Sequence, residues 1–165
     1  MTDIFLEDRF DLYTKAHLQT LIKLRELEDL INQIELGQMA GNQVGDLLRV
    51  LLYFSVEERS HHLEEEAEVL SKFKILENHE INQMIRKLYQ DHSWLEQNWT
   101  DIQEHLIAVV YKSGWFDLLE LRRNFEIFNA LSLSHIKLEE SIFPQILRIT
   151  QISKDIREVE LVIDA

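Results

Sequence analysis

Apolar residues recur every three to four positions along most of this chain, and that spacing predicts helices rather than strands. The helical pattern covers four stretches, from about Asp8 to Leu36, Asp46 to Phe73, Asn78 to Lys112, and Trp115 or Phe116 to Val162. The intervening breaks fall at Gly37, Gly41 and Gly45, at Lys74 to Asn78, and at Lys112-Ser113-Gly114. We therefore predict an all-α fold, an antiparallel up-down-up-down four-helix bundle, as a single domain over residues 1–165.

The apolar faces of these helices are interrupted by titratable side chains. On the fourth helix, His135 and Glu139 stand one turn apart in a row whose other members are apolar or Ser132. His17 interrupts the first helix in the same way, and His92 interrupts the third. Burying an imidazole or a carboxylate is unfavourable unless it finds a partner. A metal ion is a partner that suits both groups.

The second helix carries two adjacent stripes that the sequence does not separate. One stripe contains His61 and Glu65, whereas the other contains His62 and Glu66. Either pair places a histidine and a carboxylate one turn apart on one face. Both pairs are therefore candidates for the core of the bundle.

Counting residues from each predicted loop places one histidine of every helix near a common depth. These histidines are His17, His61, His92 and His135. Glu65 and Glu139 each follow a histidine by one turn. A lone histidine on an apolar face is usually an ordinary core residue, but four at one depth favour a metal site. Such a nitrogen and oxygen donor set suits iron, manganese or zinc and is large enough for two ions.

Composition narrows the class of protein further. The net charge of −13 disfavours binding to nucleic acid or to anionic membranes. The absence of cysteine excludes disulfides, thiolate-ligated clusters and cysteine-type zinc sites. Neither a secretory leader pattern nor an apolar run of membrane-spanning length is present, so we expect a cytoplasmic protein. The sequence is compatible with a homodimer.

Two segments resemble the His-x-x-x-Glu-Glu motifs of the hemerythrin-like HHE cation-binding family. They are His61-His62-Leu63-Glu64-Glu65-Glu66 and His135-Ile136-Lys137-Leu138-Glu139-Glu140-Ser141-Ile142-Phe143-Pro144, the second of which keeps the Phe-Pro that commonly follows. Ala16-His17-Leu18 and Asp91-His92 resemble the single histidines of the family's first and third helices. The resemblance covers nearly the whole chain in the family's order.

The resemblance implies a non-haem di-iron centre with an oxo or hydroxo bridge between two Fe ions. The implied metal ligands are His17, His61, Glu65, His92, His135 and Glu139. His17 and His61 would bind one iron, His92 and His135 the other, and the two glutamates would bridge them. Alignment to the family favours His61 with Glu65 over His62 with Glu66. Whether Glu58 or Glu96 adds a ligand stays open.

The function implied is binding of, or reaction with, a small diatomic ligand or peroxide (O₂, NO or H₂O₂) in sensing, iron handling or iron-centre repair. Two departures bear on this choice. Oxygen carriers of the family place a second histidine on the third helix, where this chain has Glu96, and repair-type members carry a cysteine that this chain lacks. Whether the protein is an enzyme is left open. The alternative is a structural or interaction bundle whose metal only stabilises the fold.

Overall fold

Four long helical segments form the protein. The computed structural model describes residues 2–39, 41–71, 78–112 and 115–163, with side chains described between residues 8 and 152. The first segment is α1 (Thr2–Glu35). The second, here named the second rod, consists of α2 (Gly41–Leu52), a π-helical segment (Tyr53–Glu57), α3 (Glu58–Glu65) and another π-helical segment (Glu66–Leu70). The last two segments are α4 (His79–Tyr111) and α5 (Leu118–Ile163). None of the described residues lies in a strand, which confirms the all-α prediction.

Each segment packs against two others. The second rod contacts both α1 and α4, and α5 contacts the same two helices. This arrangement encloses a common interior, as expected for a helical bundle. No helix in the described part of the chain combines the length and the apolar character needed to cross a membrane.

The helix boundaries agree with the sequence prediction at some ends and differ at others. Asn78 caps α4 as predicted, because its side chain accepts a hydrogen bond of 3.1 Å from the Ile81 amide. The predicted start of the second helix at Asp46 is wrong, since α2 already begins at Gly41. Of the three glycines, Gly37 has a left-handed φ of +64° and follows the end of α1, whereas Gly41 and Gly45 need no such conformation.

The fourth helix begins at Leu118 rather than at Trp115 or Phe116. The reason is Asp117, whose carboxylate accepts hydrogen bonds from the amides of Leu119 and Glu120 at 2.8 and 3.1 Å. The helix then continues through Pro144 as predicted. The predicted breaks at Lys74 to Glu77 and at Ser113-Gly114 lie outside the described residues.

The π-helical segments explain why the two stripes of the second helix could not be separated from the sequence. A π turn closes on residue i+5, so it accommodates one more residue than an α turn and rotates the following side chains by about 100°. One such segment ends immediately before Glu58, and the other begins immediately after Glu65. Within the regular helix α3 between them, His61, His62 and Glu65 all lie on the inner side of the rod, although they come from both stripes.

Two apolar clusters fill the interior at different levels. One contains Leu24 and Phe128, and the other contains Tyr13 and Ile142. On α1, His17 lies between Tyr13 and Leu24; on α5, His135 lies between Phe128 and Ile142. The buried histidines therefore form a polar layer between two apolar cores.

Replacing Asn78 by Ala should lower the free energy of unfolding by about 1 kcal/mol, because the Ile81 amide loses its acceptor. Urea denaturation followed by circular dichroism measures this change. Asn78→Asp is the matched control, since aspartate is an equally good cap and should leave stability within about 0.5 kcal/mol. Equal destabilisation by both substitutions would show that the cap does not act as described.

Candidate metal centre

The structure brings all six predicted ligands into the polar layer. They are His17, His61, Glu65, His92, His135 and Glu139, and their side chains are at most 11% exposed. Each of the four helical segments supplies one or two of them. Their nitrogen and oxygen atoms fall into two groups that could each hold a metal ion, and the groups share Glu65.

The first group consists of His17, His61 and Glu65. The Nε2 atom of His61 lies 3.3 Å from Oε1 of Glu65, which stands one turn further along the second rod. Nε2 of His17 lies 3.9 Å from the same oxygen, so α1 reaches the carboxylate from the opposite side. Two imidazoles and one carboxylate oxygen thus converge on one point.

The second group consists of Glu65, His92, His135 and Glu139. The other oxygen of Glu65, Oε2, lies 3.6 Å from Nε2 of His92. Oε1 of Glu139 lies 3.2 Å from Nε2 of His135 and 3.7 Å from Nε2 of His92. Its Oε2 lies 2.8 Å from Nε2 of His17 in the first group. Both carboxylates therefore present one oxygen to each group.

The hydrogen-bonding state of these atoms is the test of whether a metal ion fits. Buried polar atoms are normally paired, and unpaired ones are unfavourable. Here the buried atoms without a well-formed hydrogen bond include Nε2 of His17, His61, His92 and His135 and both oxygens of Glu65 and Glu139, although Nε2 of His17 and Oε2 of Glu139 form an ion pair at 2.8 Å. A cation would satisfy lone pairs that converge in this way, so the donor set fits a metal centre.

A carboxylate outside the cluster holds one of the imidazoles by a hydrogen bond, and a second carboxylate lies near another imidazole. Nδ1 of His92 donates a hydrogen bond of 2.7 Å to Oε1 of Glu66, which leaves Nε2 directed at the cluster. Nδ1 of His135 lies 4.0 Å from Oδ2 of Asp91, whose carboxylate accepts two hydrogen bonds of 3.0 Å from Lys87. A carboxylate behind a ligating histidine fixes its tautomer and orientation and raises its basicity.

The titratable groups of the layer are buried away from solvent, and burial and their mutual interactions shift their pKa values. Burial, reinforced by the nearby Glu139, raises the pKa of Glu65 well above its usual value. Burial also acts to raise the pKa of Glu139, but the surrounding imidazoles, His135 foremost, outweigh it and bring that pKa well below the usual value. Burial lowers the pKa of His61 to about 4. Burial acts in the same direction on His17, yet the adjacent Glu139 and Glu65 prevail and raise its pKa to about 9.

The cluster is bordered by a hydrogen-bonded network that the sequence did not reveal. Glu58 accepts hydrogen bonds from Thr20 at 2.7 Å and from Tyr53 at 3.1 Å. Its other oxygen lies 3.6 Å from Nε2 of His62. Thr20 stands three residues after His17, and a buried threonine at that spacing is the one signal that could have pointed to this network. Glu96, the other undecided carboxylate, instead pairs with Arg59 at 2.9 Å on the surface.

A cavity of about 280 Å³ lies between the second rod and α4. Aromatic side chains of Phe54, Trp99 and Phe128 form much of its apolar wall. His62 and His92 line it as well, so it extends to the edge of the polar layer. The cavity gives small molecules a way to approach the imidazoles without crossing either apolar core.

The two remaining histidines lie away from the layer. His79 at the start of α4 is exposed. The side chain of His105, further along α4, is 14% exposed and lies 3.7 Å from Glu120. Neither belongs to a group that could hold a metal ion.

The fold and the site together define this chain as a helical protein with buried histidine and glutamate clusters able to hold a metal ion. In comparisons with known proteins, no family model, no curated protein and no solved structure matches it. The chemistry of the cluster is therefore the ground on which a function is inferred.

Replacing Glu65 by Gln should leave the stability of the metal-free protein within about 0.5 kcal/mol, because burial already favours the neutral form of this carboxyl. The same change should reduce the stabilisation by added metal, which in the unaltered protein is about 2.7 kcal/mol at a metal concentration of one hundred times Kd. Thermal unfolding with and without Fe²⁺ measures both effects. Glu64→Gln, at the exposed neighbouring position, is the control and should keep the full metal-induced shift.

Metal binding at pH 7 should release at least one proton. The raised pKa of His17, about 9, means that its imidazole carries a proton at pH 7 in the metal-free protein, and a metal ligand must lose it. Calorimetric titration in buffers of different ionisation enthalpy measures this release. The share of the released protons that comes from His17 should fall as the pH rises past 9, because His17 has then already lost its proton before the metal binds. Metal binding without proton release at pH 7 would contradict the described electrostatics.

Proposed function

We propose that this chain is a hemerythrin-like non-haem di-iron protein that binds or reacts with O₂, NO or peroxide. The observation that carries the proposal is the convergence of four imidazoles and two carboxylates from all four helical segments on one buried layer, where most of their donor atoms lack a well-formed hydrogen bond. Two groups that share a carboxylate are what a dinuclear site requires. A cytoplasmic location, as the sequence predicts, is part of the proposal.

The packing supports the family's up-down-up-down topology as a second part of the proposal. Residues early in α1, such as Phe10, share an apolar cluster with Leu70 at the end of the second rod. Ile34 at the end of α1 shares the other cluster with Leu47, which lies early in that rod. Neighbouring segments that run in opposite directions account for both pairings.

Each residue of the cluster has a separate task in this proposal. Nε2 of His17 and His61 would hold one iron, and Nε2 of His92 and His135 the other. Glu65 and Glu139 would span the two positions, since each already presents one oxygen to either group. Two iron ions bound there would supply reversible Fe(II)/Fe(III) chemistry and an open coordination position for a small ligand.

The protein around the cluster controls what can reach it. The apolar cores on both sides exclude bulk water, which strengthens the electrostatic interactions within the layer. Glu66 holds His92 in the tautomer with Nε2 facing the cluster. The cavity at His62 and His92 favours a reactive centre over a purely structural metal, because a structural site needs no access from solvent.

Protein produced with ample iron should contain two iron ions per chain and absorb in the near-ultraviolet, and its reduced form should react with O₂, NO or H₂O₂ in stopped-flow mixing. Glu139→Gln should lower the iron content to one ion or fewer, because it removes the charge shared by both positions. Glu140→Gln changes the exposed neighbour and should retain both ions.

Two outcomes would contradict the proposal. One is a protein that stays colourless and takes up neither iron nor any other metal above background. The other is a fully loaded centre that reacts with none of the three small molecules, which would favour the structural alternative.

A further inference from the structure

We propose that His62 is a seventh donor of the metal centre and makes, with His92 and His135, a three-imidazole position on the side that faces the cavity. This inference rests on the proposed di-iron function and deepens it. It assigns a role to a histidine outside the six predicted ligands, and it makes the two metal positions chemically unequal.

The geometry of the three rings carries the assignment. One nitrogen from each of His62, His92 and His135 lies within 4.8 Å of the other two, so the three could share one ion. The ring of His62 stacks on that of His92 with centroids 4.2 Å apart, so one of these two rings would have to turn for both to bind one ion, and it meets His135 edge-on at 5.2 Å. This group has two members in common with the group that contains Glu65 and Glu139. His62 would therefore add an imidazole to a set that is already placed in the polar layer.

No other described interaction accounts for the burial of His62. The residue is 9% exposed, and no hydrogen bond is described for its ring nitrogens. The distance of 3.6 Å between its Nε2 and Oε1 of Glu58 is too long for a hydrogen bond. Glu58 is already engaged through its other oxygen by Thr20 and Tyr53. A carboxylate held in this place would support a metal-bound His62, as Glu66 supports His92.

The cavity distinguishes the two metal positions. Among the residues described, His62 and His92 line it, whereas His135 and the other predicted ligands do not. Two of the three imidazoles of this position thus border the space through which a small molecule would arrive. The position formed by His17 and His61 lies on the side of α1.

The test compares His62→Gln with His105→Gln, a partly buried histidine on α4 that belongs to neither metal group. Both proteins are loaded with Fe²⁺ without oxygen and studied by X-ray absorption and Mössbauer spectroscopy. His62→Gln should reduce the imidazole count by one for each pair of irons and change the spectrum of one iron only. It should also weaken the binding of that iron by at least about 10-fold, since even the loss of a supporting residue has such an effect.

A second variant gives a positive test. In His62→Ala, added imidazole can occupy the space left by the side chain and should restore the original spectrum, which a merely structural role of His62 would not allow. Unchanged spectra and affinity in His62→Gln, with two irons still bound, would overturn the seventh donor and leave the six-ligand proposal intact. Failure of the unaltered protein to bind iron would overturn both.

Discussion

The structure depends on one electrostatic constraint, the enclosure of four imidazoles and two carboxylates between two apolar cores. Charges and lone pairs in such a layer are unfavourable unless each has a partner. In the metal-free layer the ion pair of 2.8 Å between His17 and Glu139 satisfies only part of the cluster, and most of the facing nitrogen and oxygen atoms lack a well-formed hydrogen bond. A bound cation resolves this conflict for both residue types at once, so the feature that weakens the metal-free bundle is the one that would confer metal affinity.

Much of the fold and of the site follows from local sequence patterns. The depth argument placed His17, His92 and His135 correctly because α1, α4 and α5 are regular helices, in which spacing along the chain translates directly into position. Asn78 was recognisable as a cap because asparagine directly before a helical pattern is typical of an N-cap. The start of the last helix was placed too early because the capping role of Asp117 was not recognised, and Gly45 suggested a loop although a helix tolerates it.

The second rod was harder to predict, and the reason is physical. Its two π-helical segments change the periodicity on either side of α3, so no single stripe describes the buried face. His61 and His62 both turn inward, whereas Glu65 lies in the layer and Glu66 lies behind His92. Which pair holds a metal stays a prediction. Likewise, the bonds that join Thr20, Tyr53 and Glu58 link α1 to the second rod across 33 to 38 positions of sequence, beyond the reach of any local motif.

The most direct test of this account is the crystal structure of iron-loaded protein with anomalous diffraction data at the iron edge. The account predicts two anomalous peaks in the polar layer, each about 2.0 to 2.2 Å from imidazole nitrogens and carboxylate oxygens of the residues named here. An empty layer, or iron found only on acidic groups at the surface, would contradict it.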